Sequence, residues 1–306
     1  MFLMLDTHVG LFVSYNSAGL PRPVSGRSEV RRAFLDRYFP DQRPVPKDVD
    51  PAMAKKDASD VIGTYYVTRR AESTALKIAA LLGQTGIHKT ADNQITLDDA
   101  KNLRGESKKW REIGPLLYHE VEGPDTIAFR RDGSGKVKEC LPQAPVYELQ
   151  RVPWYENQNL IAVFGGGNLV LCLLTLLFWP IAVIVRKRYE RRLFAEQKSR
   201  FFYFLSRLVC LVEIGFIAVI MIPLTRAEEN IAFLGDGLDP WLKTMHVFGW
   251  MMIAGVIFLL IASIWFSKGR GLGRWGRLHA FLLAAGGLIF ALIAWHSHLF
   301  DTSLKF

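Results

Sequence analysis

The chain has 306 residues, half of them apolar, and a formal net charge of +9. Its length allows two or more domains. The positive charge lies in two segments: residues 186–200 carry seven basic and two acidic residues, and residues 267–277 carry four basic residues and no acidic one. Because these two segments account for the whole net charge, a basic face for nucleic acid is excluded and no nucleic-acid partner is expected.

The first forty residues are predicted to form a β-hairpin followed by a helix. Residues 1–5 and 10–15 favour strands joined by a short turn, and Ser25 or Ser28 could cap the helix. Two strands and one helix of this size bury too little apolar surface to form a core of their own. We therefore expect residues 1–45 to be the incomplete C-terminal end of a larger α+β domain.

Residues 46–60 are rich in proline and charge and are predicted to be a linker. Residues 61–155 are predicted to form a small antiparallel β domain, curved into a partial barrel, with one helix at 71–83. The sequence DGSG at 132–135 is interpreted as a turn, since it lacks the alternating carboxylates of a calcium-binding loop. The predicted strands of this domain lie at 61–67, 86–90, 93–97, 115–121, 126–132, 136–141 and 146–152.

Residues 158–306 contain four long apolar runs separated by charged loops. Each run is long enough to cross a hydrocarbon layer of ~30 Å. Together they predict an all-α bundle of four transmembrane helices, with the lipid bilayer as its surroundings. The predicted spans are about 160–185, 201–224, 241–266 and 278–300.

Loop charge predicts the orientation of this multi-pass protein. Positive residues are retained on the cytoplasmic side during insertion, so the loops 186–200 and 267–277 are predicted to be cytoplasmic. Residues 1–158 and the C-terminus are then extracytoplasmic, and the expected location is the plasma (inner) membrane. Only Cys140 lies outside the spans, so no disulfide framework is expected.

The N-terminal sequence carries a family resemblance. The segments LMLDTHVGLFVSYNSAG and VRRAFLDRYFP resemble the C-terminal end of serine β-lactamase-like hydrolases of the class C and penicillin-binding-protein type. The resemblance implies that this hairpin and helix close the hydrolase sheet. Several members of the family continue into a small β domain and C-terminal membrane helices, which residues 61–306 resemble.

The chemistry of that family requires a Ser-x-x-Lys motif, and no lysine here has a serine three residues before it. Tyr155-Glu156-Asn157 and Lys89-Thr90-Ala91 imitate other motifs of the family, but both lie far beyond the closing helix. No catalytic, cofactor-binding or metal-binding residue is therefore assigned, and no cofactor is expected. No signal peptide is recognisable. We expect the catalytic domain to be encoded upstream or on a separate chain.

Several polar residues within the spans are candidates for a site. Glu213 is predicted to face other helices or to be protonated, as a proton or ligand site or as a packing contact. Arg207 is predicted to extend to the cytoplasmic surface. His246, His296 and His298 form a candidate metal or haem cluster, although interfacial histidines are the favoured interpretation.

Small residues offer a further feature of the spans. Gly165-Gly166-Gly167 and Ala284-Ala285-Gly286-Gly287 are both predicted to favour close helix packing in lipid.

Two functions remain open from the sequence. The first is the membrane-anchoring C-terminal part of a serine β-lactamase-like hydrolase, inactive alone because its catalytic motifs are absent. The second is a non-enzymatic integral membrane protein whose outer β domain binds a partner or ligand. The substrate and the oligomeric state are not determined by these residues.

Overall fold

The computed structural model describes residues 1–16, 26–40, 49–102, 104–142, 147–190, 194, 196–229, 236–269 and 272–301. These residues form a two-stranded hairpin with a helix, a closed eight-stranded β-barrel and four long apolar helices. The chain divides into two compact units. One comprises residues 1–69 and 83–153, and the other comprises residues 70–82 and 154–306.

The N-terminal hairpin and helix form as predicted. Strand β1 (Phe2–Met4) pairs antiparallel with β2 (Val9–Leu11), and helix α1 spans Gly26–Tyr38. The predicted cap residue Ser25 lies outside the described residues, as does the side chain of Ser28.

None of the described side chains between residues 1 and 40 is buried. Leu5 and Phe12 have exposed fractions of 77% and 74%. The side chains on the opposite face of the hairpin from Leu5 and Phe12, such as Phe2, are only partly covered. The described part of this segment thus has no core of its own.

A helix stands where the sequence predicted a linker. Helix α2 spans Pro51–Val61, with Pro51 at its first position and the Asp50 side chain accepting a hydrogen bond from the Ala52 amide. Ala58 and Val61 are fully buried with the side chains of the barrel. Residues 51–60 are therefore part of the β domain, while residues 46–48 lie outside the described residues.

The β domain is a closed antiparallel barrel, more complete than the partial barrel predicted. Its strands follow one another around the barrel in chain order, and the last pairs with the first, so no sheet edge remains unpaired. The strands are β3 (Gly63–Val67), β4 (Thr85–Lys89), β5 (Ile95–Lys101), β6 (Ser107–Gly114), β7 (Leu117–Glu120), β8 (Thr126–Arg131), β9 (Val137–Pro142) and β10 (Leu149–Arg151).

Buried apolar side chains form a core inside the barrel. Tyr65 and Tyr118 lie on either side of Phe129, with ring centroids 6.4 and 5.5 Å from it in edge-to-face arrangements. Strand β6 was not predicted, although its Trp110 is 3% exposed and belongs to this core. The predicted turn at 132–135 is confirmed: the Asp132 carboxylate accepts hydrogen bonds from the amides of Ser134 and Lys136.

Helix α3 (Lys77–Leu82) is much shorter than the helix predicted at 71–83. It belongs to the helical unit, where Ile78 packs in the same cluster as Phe216 and Phe290. The sequence had assigned it to the β domain.

Four helices are long and apolar enough to cross a membrane. The four predicted apolar runs lie within these helices, except that residues 297–300 follow the end of the last helix. At most of their ends the helices continue beyond the apolar runs into charged residues. Apolar side chains such as Ile184 and Trp295 are largely exposed on their outer faces, as expected of helices surrounded by lipid. These helices are α4 (Gln158–Arg188), α5 (Gln197–Glu229), α6 (Asp239–Ser267) and α7 (Arg274–His296).

Only one of the two predicted small-residue stretches packs closely against a neighbouring helix. A Cβ atom on Gly287 would lie 2.8 Å from Glu213 Oε1 and 3.2 Å from a Val256 methyl carbon, whereas one on Gly165, Gly166 or Gly167 would meet nothing within 4 Å. The prediction of close packing at 165–167 is therefore wrong for the described residues, because that face of α4 is open.

We expect Gly287→Leu to lower the stability of the helical unit by about 1–3 kcal/mol, because the added side chain overfills a packed interior. Gly167→Leu is the matched control and should be neutral, since its side chain enters open space. SDS titration of the purified protein, followed by helicity, measures both. Equal midpoints for the two variants would contradict the packing described for α7.

Candidate functional site

Polar side chains inside the helical unit lie at three depths along the bundle. One set lies at the end where α4 begins and α7 ends, a second lies near the middle, and a third lies at the end carrying the two basic loops. Burying a polar group in a bundle surrounded by lipid is costly unless the group has a hydrogen-bonding partner.

Glu213 lies at the middle depth and faces the other helices, as predicted. It is 1% exposed. Its Oε2 atom accepts a hydrogen bond from Asn168 Nδ2 at 2.8 Å and contacts Cys172 Sγ at 3.3 Å. Both partners lie on α4, four residues apart, so one helix face presents both donors. The carboxyl group therefore joins α4 to α5.

Glu213 also lies against small residues of α7. Its Oε1 atom and Asn168 Oδ1 are buried without a hydrogen bond among the described residues. Gly286 and Gly287 of α7 lie directly against these two atoms. Small residues on α7 thus leave room for the polar pair that joins α4 and α5.

Arg207 is buried, which the sequence did not predict. It is 7% exposed, with its guanidinium carbon 3.3 Å from the centroid of the Tyr203 ring. Its Nη1 atom donates to the Tyr203 carbonyl at 2.7 Å, so the side chain points toward the α4–α5 loop without reaching the surface. The stacking on Tyr203 covers the charge that was expected to extend into solvent.

Arg186, from the last turn of α4, reaches the same tyrosine. Its Nη2 atom donates to the Tyr203 hydroxyl at 2.9 Å. On α7, His279 Nε2 lies 2.8 Å from the Thr175 hydroxyl, which itself donates to the Leu171 carbonyl. Since that hydroxyl has one hydrogen, Nε2 of His279 must be the donor.

The three candidate histidines do not converge on one site. His296 Nε2 lies 2.5 Å from Glu156 Oε1, and Lys77 Nζ lies 3.5 Å from the same oxygen. His298 pairs with Asp301 at 2.7 Å. The Nε2 atom of His246 is buried without a hydrogen bond among the described residues.

These contacts give His296 and His298 structural roles. Glu156 pairs with Lys77 of α3 and with His296 at the end of α7, and so it connects these two helices. The spacing of these residues in the sequence did not indicate this connection. In the part of the chain that the structure describes, no group of three His, Cys, Asp or Glu side chains is placed to hold a metal ion.

The barrel has a polar interior of its own. Glu112 of β6 points inward and is 4% exposed, with its Oε1 atom accepting a hydrogen bond from the Leu116 amide at 2.9 Å. The pKa of Glu112 is raised to about 7, mainly because the carboxyl is buried and in part because the Asp57 carboxyl is near, while the hydrogen bond from the Leu116 amide opposes the rise. Asp57 is paired with Arg131 at 3.1 Å, which ties α2 to β8.

Three buried polar atoms of the barrel lack hydrogen bonds among the described residues: Glu112 Oε2, the Tyr118 hydroxyl and Trp110 Nε1. Burial and the neighbouring carboxyl groups raise the pKa of Tyr118, so its hydroxyl keeps its proton. The barrel interior thus presents a carboxyl and two N–H or O–H donors.

Comparison with protein-family models, with curated proteins and with solved structures gave no significant match for this chain.

Glu112 makes the barrel sensitive to pH. Its folded-state pKa of about 7 lies above the ordinary value of 4.5, so the folded state retains the proton that the unfolded chain releases. Barrel stability should therefore fall as the pH rises from 4.5 through 7. Glu112→Gln keeps the acceptor for Leu116 and should stabilise the barrel above pH 7 by on the order of 2 kcal/mol.

Hydrogen exchange of the β6 and β7 amides, corrected for intrinsic rates, measures this difference at pH 5 and pH 8. The control Glu122→Gln removes an exposed carboxyl from the neighbouring turn and should leave the pH dependence unchanged. If Glu112→Gln and the unsubstituted chain lose the same stability between pH 5 and pH 8, Glu112 is not the cause of the pH dependence.

Proposed function

We propose that this chain anchors a serine β-lactamase-like hydrolase domain to the plasma membrane. In this proposal the four helices fix the chain in the bilayer and the barrel supports the hydrolase domain at the outer face. The chain contributes the closing hairpin and helix of that domain. The nucleophile and its base are contributed by the remainder of the domain, on the same polypeptide or on another.

The observation that carries this proposal is the exposed apolar surface of residues 1–40. Leu3, Leu5 and Phe12 are 53%, 77% and 74% exposed, and none of the described side chains of this segment is buried. Apolar side chains clustered in this way mark a surface that another folded body covers. The resemblance of the same residues to the end of a hydrolase sheet identifies the body that would cover them.

The orientation follows from the loop charges. The segments 186–200 and 267–277 hold all of the net positive charge, so we place them in the cytoplasm. In this proposal the barrel and the N-terminal hairpin then lie on the outer side. Trp154 and Tyr155 precede α4 and are 77% and 56% exposed, which suits the outer membrane interface.

A second function is favoured by the barrel interior. Three unpaired polar atoms, Glu112 Oε2, Tyr118 hydroxyl and Trp110 Nε1, are buried there, and barrels of eight strands are wide enough to hold one small ligand. On this alternative the chain is a non-enzymatic membrane protein whose outer barrel binds a ligand.

Photo-crosslinking in the native membrane tests the anchoring proposal. A benzophenone amino acid at Phe12 should crosslink to a polypeptide segment that a membrane-impermeant fluorophosphonate also labels on intact cells. The reason is that the exposed hairpin would be packed against the active hydrolase domain on the outer side. The measurement is mass spectrometry of the doubly modified product.

The control carries the same crosslinker at Val121, which is 43% exposed on a barrel turn, and should give little of that product. Crosslinking from Phe12 only to segments that the fluorophosphonate does not label would contradict the hydrolase assignment and favour the ligand-binding alternative.

A further inference from the structure

The helical unit contains a cavity of about 240 Å³ at the end that carries the two basic loops. We call it the arginine cavity. All four long helices contribute to its wall, including Arg186 of α4, Arg207 of α5, Phe266 of α6 and His279 of α7. Its volume is far larger than the roughly 15 Å³ that admits one water molecule.

The arginine cavity carries positive charge that no carboxylate balances. Among the described residues, neither Arg186 nor Arg207 has a salt bridge to Asp or Glu. Arg207 is 7% exposed, and its Nε atom is buried without a hydrogen bond in the same part of the chain. Two guanidinium groups contact one ring, Tyr203, one on its face and one at its hydroxyl.

Burying Arg207 next to a second, half-buried cation, Arg186, is costly without an anion. Guanidinium groups are donors only and bind oxyanions with two parallel hydrogen bonds. The Tyr203 hydroxyl accepts from Arg186, so its own hydrogen can be directed to a ligand. The donors in this wall therefore fit the oxygens of one anionic group.

The rest of the wall is apolar. Leu259, Phe266 and Leu283 line the cavity, next to the charged groups. A ligand with an anionic head and an apolar portion matches both surfaces, and basic pockets between membrane helices are known sites for acidic lipid head groups.

We propose that the arginine cavity binds a phosphate group, held by Arg186 and Arg207. The phosphate is carried either by an acidic phospholipid or by a soluble phosphate compound. The site is independent of the anchoring function proposed above, because it needs neither the hydrolase domain nor the outer barrel.

Native mass spectrometry of the full chain tests the proposal. The protein is reconstituted in phosphatidylcholine nanodiscs with or without phosphatidic acid, and a second set of samples receives inorganic phosphate instead. We expect the unsubstituted chain to retain one phosphatidic acid, or to be stabilised thermally by inorganic phosphate. The first result identifies the lipid as the source and the second identifies a soluble phosphate.

Three variants locate the binding. Arg186→Gln removes one guanidinium and should weaken binding by about tenfold, the value of one charge-assisted hydrogen bond. Ala280→Phe fills the cavity, whose wall includes Ala280, without altering either arginine, and should abolish binding. Arg188→Gln removes one charge from the same end of the bundle, at an exposed position, and should bind as the unsubstituted chain does.

The circular-dichroism spectrum of each variant confirms that the helices are formed. The proposal is overturned if phosphatidic acid is retained no better than phosphatidylcholine while inorganic phosphate has no effect. It is equally overturned if Arg186→Gln and Ala280→Phe bind as tightly as Arg188→Gln.

Discussion

Burying a polar group costs free energy unless a partner compensates it, and this constraint shapes both units of this protein. Some buried atoms, such as Glu112 Oε2 and Arg207 Nε, nevertheless lack a hydrogen bond among the described residues. In the barrel, pairing of β10 with β3 leaves no strand edge unpaired. In the helical unit, Glu213 meets Asn168, and Arg207 stacks on Tyr203. Because α5 carries both Arg207 and Glu213, its neighbours must present small or polar residues to it. The glycines of α7 beside Glu213 meet that requirement.

The N-terminal hairpin and helix show the opposite situation. Their described apolar side chains are half-buried or exposed, while the barrel and the helical unit each contain clusters of fully buried apolar side chains. A segment that forms regular secondary structure without burying a side chain is stabilised by little beyond its backbone hydrogen bonds. This contrast within one chain is the structural basis for our proposal that residues 1–40 belong to a larger domain.

Sequence patterns revealed elements that depend on local composition and missed those that depend on distant contacts. The four membrane-spanning helices were predictable from the length of their apolar runs, and most barrel strands were predictable from their residue pattern. Strand β6 escaped prediction because its inward positions hold Trp110 and the carboxyl of Glu112, which breaks the apolar alternation. The helix at Pro51–Val61 was concealed by a proline-rich context, although Asp50-Pro51 is a helix-start signal. The arginine cavity was unpredictable, since Arg186, Arg207 and His279 meet only when four helices pack.

The central proposal is that residues 1–16 and 26–40, which have no core of their own in the structure described, are covered by a partner domain. Hydrogen exchange of the chain in lipid nanodiscs, with no other protein present, tests it most directly. The account requires the amides of β1, β2 and α1 to exchange orders of magnitude faster than those of the barrel strands. Protection of the hairpin and α1 equal to that of the barrel would contradict it.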